Sequence, residues 1–100
     1  MRLRIVLAAV IGAASSSAHA QENAVARSLA ATCANCHGTE GRSASTEVAS
    51  LAGLPKDLIV SQMKAFRDGT RPATIMQQLA KGYTDTQIDM IASFLAAQKK

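Results

Sequence analysis

The stretch Cys33-Ala34-Asn35-Cys36-His37 decides how this chain is organised. Two cysteines with two residues between them, followed directly by a histidine, form the pattern that attaches a c-type haem. Two thiols can add across the two vinyl groups of a porphyrin as thioethers, and the adjacent imidazole can bind the iron from one face. The chain contains no other cysteine. The motif therefore predicts one covalently attached haem c, with His37 as one of its iron ligands.

A Cys-x-x-Cys pair has two other common uses. It can act as a thioredoxin-like redox pair, or it can supply half of a zinc site. The first use needs a βαβ context and the second needs two further ligands, and the sequence indicates neither. A haem-free disulfide oxidoreductase is kept as an alternative, which a denaturing gel stained for haem would decide.

The N-terminus has the three parts of a secretory signal peptide. A basic start precedes an apolar run of ten at residues 5–14, and Ala18-His19-Ala20 is a small-x-small cleavage site. This run is shorter than the ~20 apolar residues that span a bilayer. We therefore expect residues 1–20 to be a cleaved leader and residues 21–100 to be a periplasmic monohaem domain without stable membrane insertion. Export fits the motif, because covalent haem attachment is carried out outside the cytoplasm.

Cleavage after Ala20 would change both the charge and the supply of iron ligands. Arg2 and Arg4 are two of the eleven cationic residues, and all seven acidic residues lie beyond them, so the net charge falls from +4 to +2. A charge this small does not indicate a nucleic-acid partner. His19 leaves with the leader, so His37 would be the only histidine of the domain.

Hydrophobic spacing predicts an all-α domain with no strand. A first helix, with Asn23 as its cap, leads directly into the haem motif, and residues 38–50 are predicted to form a loop because they are rich in Gly, Ser and Thr. A second helix begins at Pro55 and stops at Gly69. The last helix begins at a capping box and carries a buried stripe. The predicted helices cover residues 24–32, 55–68, 73–81 and 84–100.

The second iron ligand decides the function. An iron porphyrin with two strong ligands mainly moves electrons, whereas an open position lets a gas or peroxide bind. The candidates after cleavage are Met63, Met76 and Met90 and, as a poorer ligand, a lysine. Met63 and Met90 lie inside regular amphipathic helices, where methionine commonly fills the core. Met76 follows a glycine and a proline in a segment that can reach the far side of the ring, so we expect His37 and Met76 to hold the iron.

Four segments of the sequence carry a family resemblance: residues 33–41, residues 51–53, residues 66–71 with Met76 after them, and residues 91–95. Together they resemble a class I cytochrome c, most closely the small bacterial monohaem type that includes the cytochrome subunits of flavocytochrome c sulfide dehydrogenases. The resemblance implies a fold in which the N- and C-terminal helices cross, with the region around Leu29 and Ala30 near Phe94. Short helices and loops then wrap around one covalently bound haem.

The resemblance also implies a hydrogen bond that orients the ligand histidine. In this family a backbone carbonyl of the loop after the haem motif accepts the Nδ1 proton. That carbonyl usually belongs to a proline two residues before Leu-Ala-Gly, and the residue here is Ala49. Because alanine lacks the fixed φ of proline, we expect the same bond on a looser loop. The family further suggests that Arg71 lies near a haem propionate.

The predicted function is periplasmic electron transfer, as a free carrier or as the haem subunit of a dehydrogenase such as sulfide dehydrogenase. No constellation of catalytic acid, base or nucleophile is apparent, so we do not expect an enzyme. The partners would be redox proteins, for example a flavoprotein dehydrogenase subunit or a terminal oxidase. The alternative is an open-iron haem sensor or peroxidase-like protein, which a high-spin optical spectrum would reveal.

Overall fold

The computed structural model describes residues 21–100, which form five helices and, within that range, no strand. The predicted all-α fold is therefore confirmed. Helix α1 covers residues 21–31 of the described part. The others are α2 (Ala34–His37), α3 (Lys56–Asp68), α4 (Met76–Ala80) and α5 (Asp85–Ala96), with a 3₁₀ turn at Thr39–Gly41. The predicted leader, residues 1–20, lies outside the described residues.

The boundaries of α1, α4 and α5 differ from the predicted ones. Helix α5 ends at Ala96, before the final lysines that were predicted to lie in its last turn. Asn23 lies inside α1 rather than at its cap, because Gln21 and Glu22 before it are already helical. Helix α4 is shorter than the predicted 73–81, and no side chain caps its start at Ile75. Without a capping residue, the sequence offers no local signal for where this short helix begins.

The core is built on α5, whose buried stripe is confirmed. Ile88, Ile91, Ala92 and Leu95 are each at most 1% exposed. Helix α3 packs against both α4 and α5. Ala30 of α1 belongs to the same buried cluster, and half-buried Leu29 and Phe94 pack against that cluster, so the first and last helices share one core. Burying each large aliphatic side chain stabilises the fold by ~1.5–3 kcal/mol.

Helix α5 begins at the predicted capping box. The Gln87 backbone N–H donates to Thr84 Oγ1 at 3.2 Å, and the Thr84 backbone N–H donates to Gln87 Oε1 at 2.9 Å. These two bonds satisfy backbone donors that the helix itself cannot satisfy. The start of α5, and with it the position of the buried stripe, is thus fixed locally.

Helix α3 ends at Gly69, as predicted. Gly69 has φ +76°, its N–H donates to Phe66 O at 3.1 Å, and the Thr70 N–H donates to Ala65 O at 3.0 Å. This pair of bonds is a Schellman motif, which turns the chain out of a helix. The turn directs the following residues toward α4. Among the helices that the structure describes, none has the length and apolar character needed to cross a bilayer.

Candidate haem-binding site

One hydrogen-bonded turn brings both cysteines and the histidine together. The backbone N–H groups of Cys36 and His37 donate to Cys33 O at 3.3 and 2.9 Å. The two cysteines form no disulfide with each other; Cys33 is half-buried against the core and Cys36 is exposed. Burial raises the pKa of the Cys33 thiol. A thiol used for disulfide exchange commonly has a lowered pKa, so the environment of Cys33 does not favour that use.

The orientation of His37 is set by the predicted hydrogen bond. Its Nδ1 lies 2.6 Å from the carbonyl oxygen of Ala49. A carbonyl can only accept, so Nδ1 carries the proton and donates, and in the neutral imidazole Nε2 keeps its lone pair. The expected bond to Ala49 is confirmed. The side chain is thereby prepared to bind a metal through Nε2.

The chain turns away immediately after His37, and only glycine fits at that point. Gly38 has φ +84°, and a Cβ there would lie 1.9 Å from the carbonyl oxygen of Arg42. Gly41 has φ +82°, and its carbonyl accepts from Leu51 N at 2.7 Å. The loop therefore returns beside the haem motif, which allows the Ala49 carbonyl to reach the histidine ring.

Met76 lies in a separate segment, at the first position of α4. Its side chain is half-buried and packs against the core. Gln77 Nε2 donates to Arg71 O at 2.8 Å, which closes the loop that precedes α4. Met63 is buried in the core, as expected for a methionine that fills space, and Met90 is half-buried within α5.

Arg71 has a partner that the sequence did not indicate. Its guanidinium carbon lies 4.8 Å from the centroid of the Phe66 ring, a cation–π contact. Both residues flank the turn at Gly69, so the contact helps to hold the segment that leads to α4. The suggested place of Arg71 near a haem propionate stays a prediction.

A hydrogen bond between Thr32 and Tyr83 was also missed at the sequence level. Thr32 Oγ1 donates to Leu29 O at 2.7 Å, so the Tyr83 hydroxyl, 2.6 Å from Thr32 Oγ1, is the donor in that pair. The bond ties the residue before Cys33 to the residue before the α5 cap. No sequence pattern could have revealed it, because the two residues are 51 positions apart.

The other uses of a Cys-x-x-Cys pair find no support in residues 21–100. No three His, Cys, Asp or Glu side chains in that range are arranged to hold a metal ion. The same residues are helical or irregular, without the strands of a thioredoxin-like unit. The donor set fits a c-type haem instead. Two cysteines that form no disulfide, and an imidazole whose Nδ1 proton is already hydrogen-bonded, are the groups that such a haem uses.

The sequence model of the cytochrome c family matches residues 23–99. The chain belongs to the cytochrome c family. Membership confirms both the resemblance and the predicted cofactor, a covalently bound haem c. This cytochrome c is 38% identical over 72 residues to the cytochrome subunit of sulfide dehydrogenase from Chlorobaculum tepidum, an alignment that covers 72% of the chain and 64% of the relative.

Two further relatives extend the comparison. Cytochrome c-554(548) of Halomonas halodenitrificans is 35% identical over 71 residues, which cover 68% of this chain and 86% of the relative. The thiosulfate dehydrogenase electron acceptor of Thiomonas intermedia is 32% identical over 97 residues, which cover 96% of this chain and 44% of the relative. The chain thus spans less than two thirds of the length of the sulfide and thiosulfate dehydrogenase relatives.

Proposed function

We propose that this cytochrome c carries single electrons in the periplasm through one haem held by His37 and Met76. The observation that carries the proposal is the 2.6 Å hydrogen bond from His37 Nδ1 to Ala49 O. This bond leaves Nε2 of His37 available as a metal ligand. The same hydrogen-bonded turn also carries Cys33 and Cys36. Cys33 and Cys36 would hold the porphyrin through thioether bonds, and His37 would bind the iron on one face. When bound, the haem supplies one-electron redox chemistry.

Met76 is the proposed ligand on the opposite face. It starts a short helix, whereas buried Met63 is committed to the core. Its neighbours Ile75 and Leu79 are 58% and 46% exposed, and such aliphatic side chains suit the apolar face of a porphyrin. A thioether is a soft, neutral ligand that favours ferrous iron. His/Met ligation in both oxidation states leaves no open position for a substrate, which supports a carrier rather than an enzyme.

The proposed partners are redox proteins, and the proposed electron donors among them oxidise reduced sulfur compounds. Two relatives support the link to sulfur oxidation. One is the cytochrome subunit of sulfide dehydrogenase, and the other is a thiosulfate dehydrogenase electron acceptor. The chain would act either as a free carrier or as the haem subunit of such a complex, with a flavoprotein subunit as one electron donor and a terminal oxidase as one acceptor. Copurification of the native protein, with the eluate examined for a flavin-containing companion, tests the subunit form.

Optical spectra of the exported holoprotein test the ligation. We expect the ferric wild type to be low-spin, with a charge-transfer band between the thioether and ferric iron that disappears in Met76→Ala. Met90→Ala is the matched control, because it removes another half-buried methionine and should keep the band. A high-spin wild-type spectrum would refute the carrier and favour the open-iron sensor or peroxidase-like protein. Mass spectrometry without a porphyrin adduct would refute haem attachment.

A further inference from the structure

The loop that carries the Ala49 carbonyl is closed at its base by a serine. Ser50 Oγ accepts a hydrogen bond from the Ser43 backbone N–H at 2.9 Å, across seven residues. Immediately beside it, the Leu51 N–H donates to Gly41 O at 2.7 Å. The two ends of the loop are therefore joined at neighbouring positions. Ala49, whose carbonyl meets the histidine, is the residue directly before this closure.

The other serine bonds of the loop are local. Ser43 Oγ donates to Ser45 O at 3.0 Å, and the Glu47 N–H donates to Ser45 Oγ at 3.1 Å. Each joins residues only two positions apart, so these bonds shape the outer part of the loop without joining its ends. Among the serine side chains of residues 43–50, that of Ser50 makes the bond that spans the loop.

We propose that Ser50 is a positioning residue for His37. Alanine lacks the ring-fixed φ of proline, so a loop that presents the Ala49 carbonyl needs another constraint. The hydrogen bond from Ser43 N–H to Ser50 Oγ supplies this constraint at the residue directly after Ala49. The Ser50 hydroxyl thus holds the Ala49 carbonyl 2.6 Å from Nδ1 without touching the histidine itself. This inference rests on the proposed binding of iron by His37.

The hydrogen bond that Ser50 supports should affect the redox equilibrium. Donation from Nδ1–H to a carbonyl makes the imidazole a more basic ligand. A more basic ligand stabilises ferric iron relative to ferrous iron. If the carbonyl becomes free to move, the bond weakens on average, and ferrous iron is favoured. The histidine Nδ1 proton also becomes more accessible to water.

Ser50→Ala in the holoprotein tests the inference. Ser50 is exposed, so the truncation removes the bond without opening a cavity. We expect the equilibrium constant for one-electron reduction to rise about threefold, which is ~28 mV at ~59 mV per tenfold. Exchange of the His37 Nδ1 proton with solvent, followed by NMR of the ferrous protein, should become at least about tenfold faster. The charge-transfer band should be retained.

Two variants make the result specific. Ser45→Ala removes a serine hydroxyl from the same loop but leaves the closing bond intact, so it should match the wild type in both measurements. Ser50→Thr keeps a hydroxyl at the closing position and should restore wild-type exchange. The inference is overturned if Ser50→Ala leaves potential and exchange unchanged, or if Ser45→Ala changes them equally. If the wild-type protein lacks the charge-transfer band, Met76 ligation is refuted but the role of Ser50 is not. Exchange of the His37 Nδ1 proton still reports on the Ala49 carbonyl in that case.

Discussion

The two segments that provide the proposed iron ligands are built differently. On the His37 side, residues 38–53 form a loop held by backbone geometry and hydrogen bonds, with little buried side-chain surface. On the Met76 side, the ligand starts a helix that packs on α3 and is tied by one side-chain bond from Gln77. The histidine side therefore depends on the exact path of the backbone. The methionine side depends on packing, which accommodates small changes more easily.

Two glycines with positive φ show the same difference between the two sides: Gly38 follows His37, and Gly69 begins the segment that leads to Met76. A Cβ at Gly38 would lie 1.9 Å from a backbone oxygen, whereas a Cβ at Gly69 would have no heavy atom within 4 Å. Both positions disfavour an L side chain because of their φ angle. Only Gly38 adds a collision with main-chain atoms, which cannot move without displacing the loop around the histidine.

The largest effect is expected from Gly38→Ala. The collision with Arg42 O should destabilise the holoprotein by at least ~3 kcal/mol and lower the yield of attached haem severalfold. Gly69→Ala should cost only ~1–2 kcal/mol, because left-handed strain acts there without a clash. Thermal melting and haem-stained gels of both variants provide the measurements. Equal losses in the two variants would contradict the proposed difference between the two sides.

A smaller effect is expected from Gln77→Ala on the methionine side. Loss of the bond to Arg71 O should destabilise the holoprotein by ~1 kcal/mol. The charge-transfer band should then disappear at a lower temperature than in the wild type, because the loop before Met76 opens more readily. Gln78→Ala, at the exposed next position, is the control and should leave the transition in place. A band unchanged by Gln77→Ala would show that packing of α4 alone fixes Met76.

The smallest effect concerns the ion pair between Arg67 of α3 and Asp85 of α5, at 2.6 Å. The hydrogen bond from Arg67 holds the pKa of the exposed Asp85 carboxyl below its ordinary value of 3.8. The pair therefore stabilises the fold above that value, and its contribution is lost as the pH falls through the lowered pKa. Asp85→Asn should reduce the acid dependence of the melting temperature slightly. Arg67→Gln should have the same effect, and the double variant should add nothing further.

Much of the fold followed from short-range patterns. The capping box at Thr84, the buried stripe of α5 and the stop at Gly69 all occur as predicted, because each depends on residues within one or two helical turns. The limits of α4 were predicted less well, since no side chain caps its start. Helix boundaries without such a residue are set by packing.

The sequence by itself determined the cofactor, because covalent haem attachment needs only two thiols and an imidazole at fixed spacing along the chain. The Ala49 bond was predicted only through resemblance to a family. The Thr32–Tyr83 bond, the Arg71–Phe66 contact and the closure by Ser50 emerged only from the tertiary structure. These contacts join residues through turns and loops whose path depends on how the helices pack, and no periodic pattern along the chain records that path.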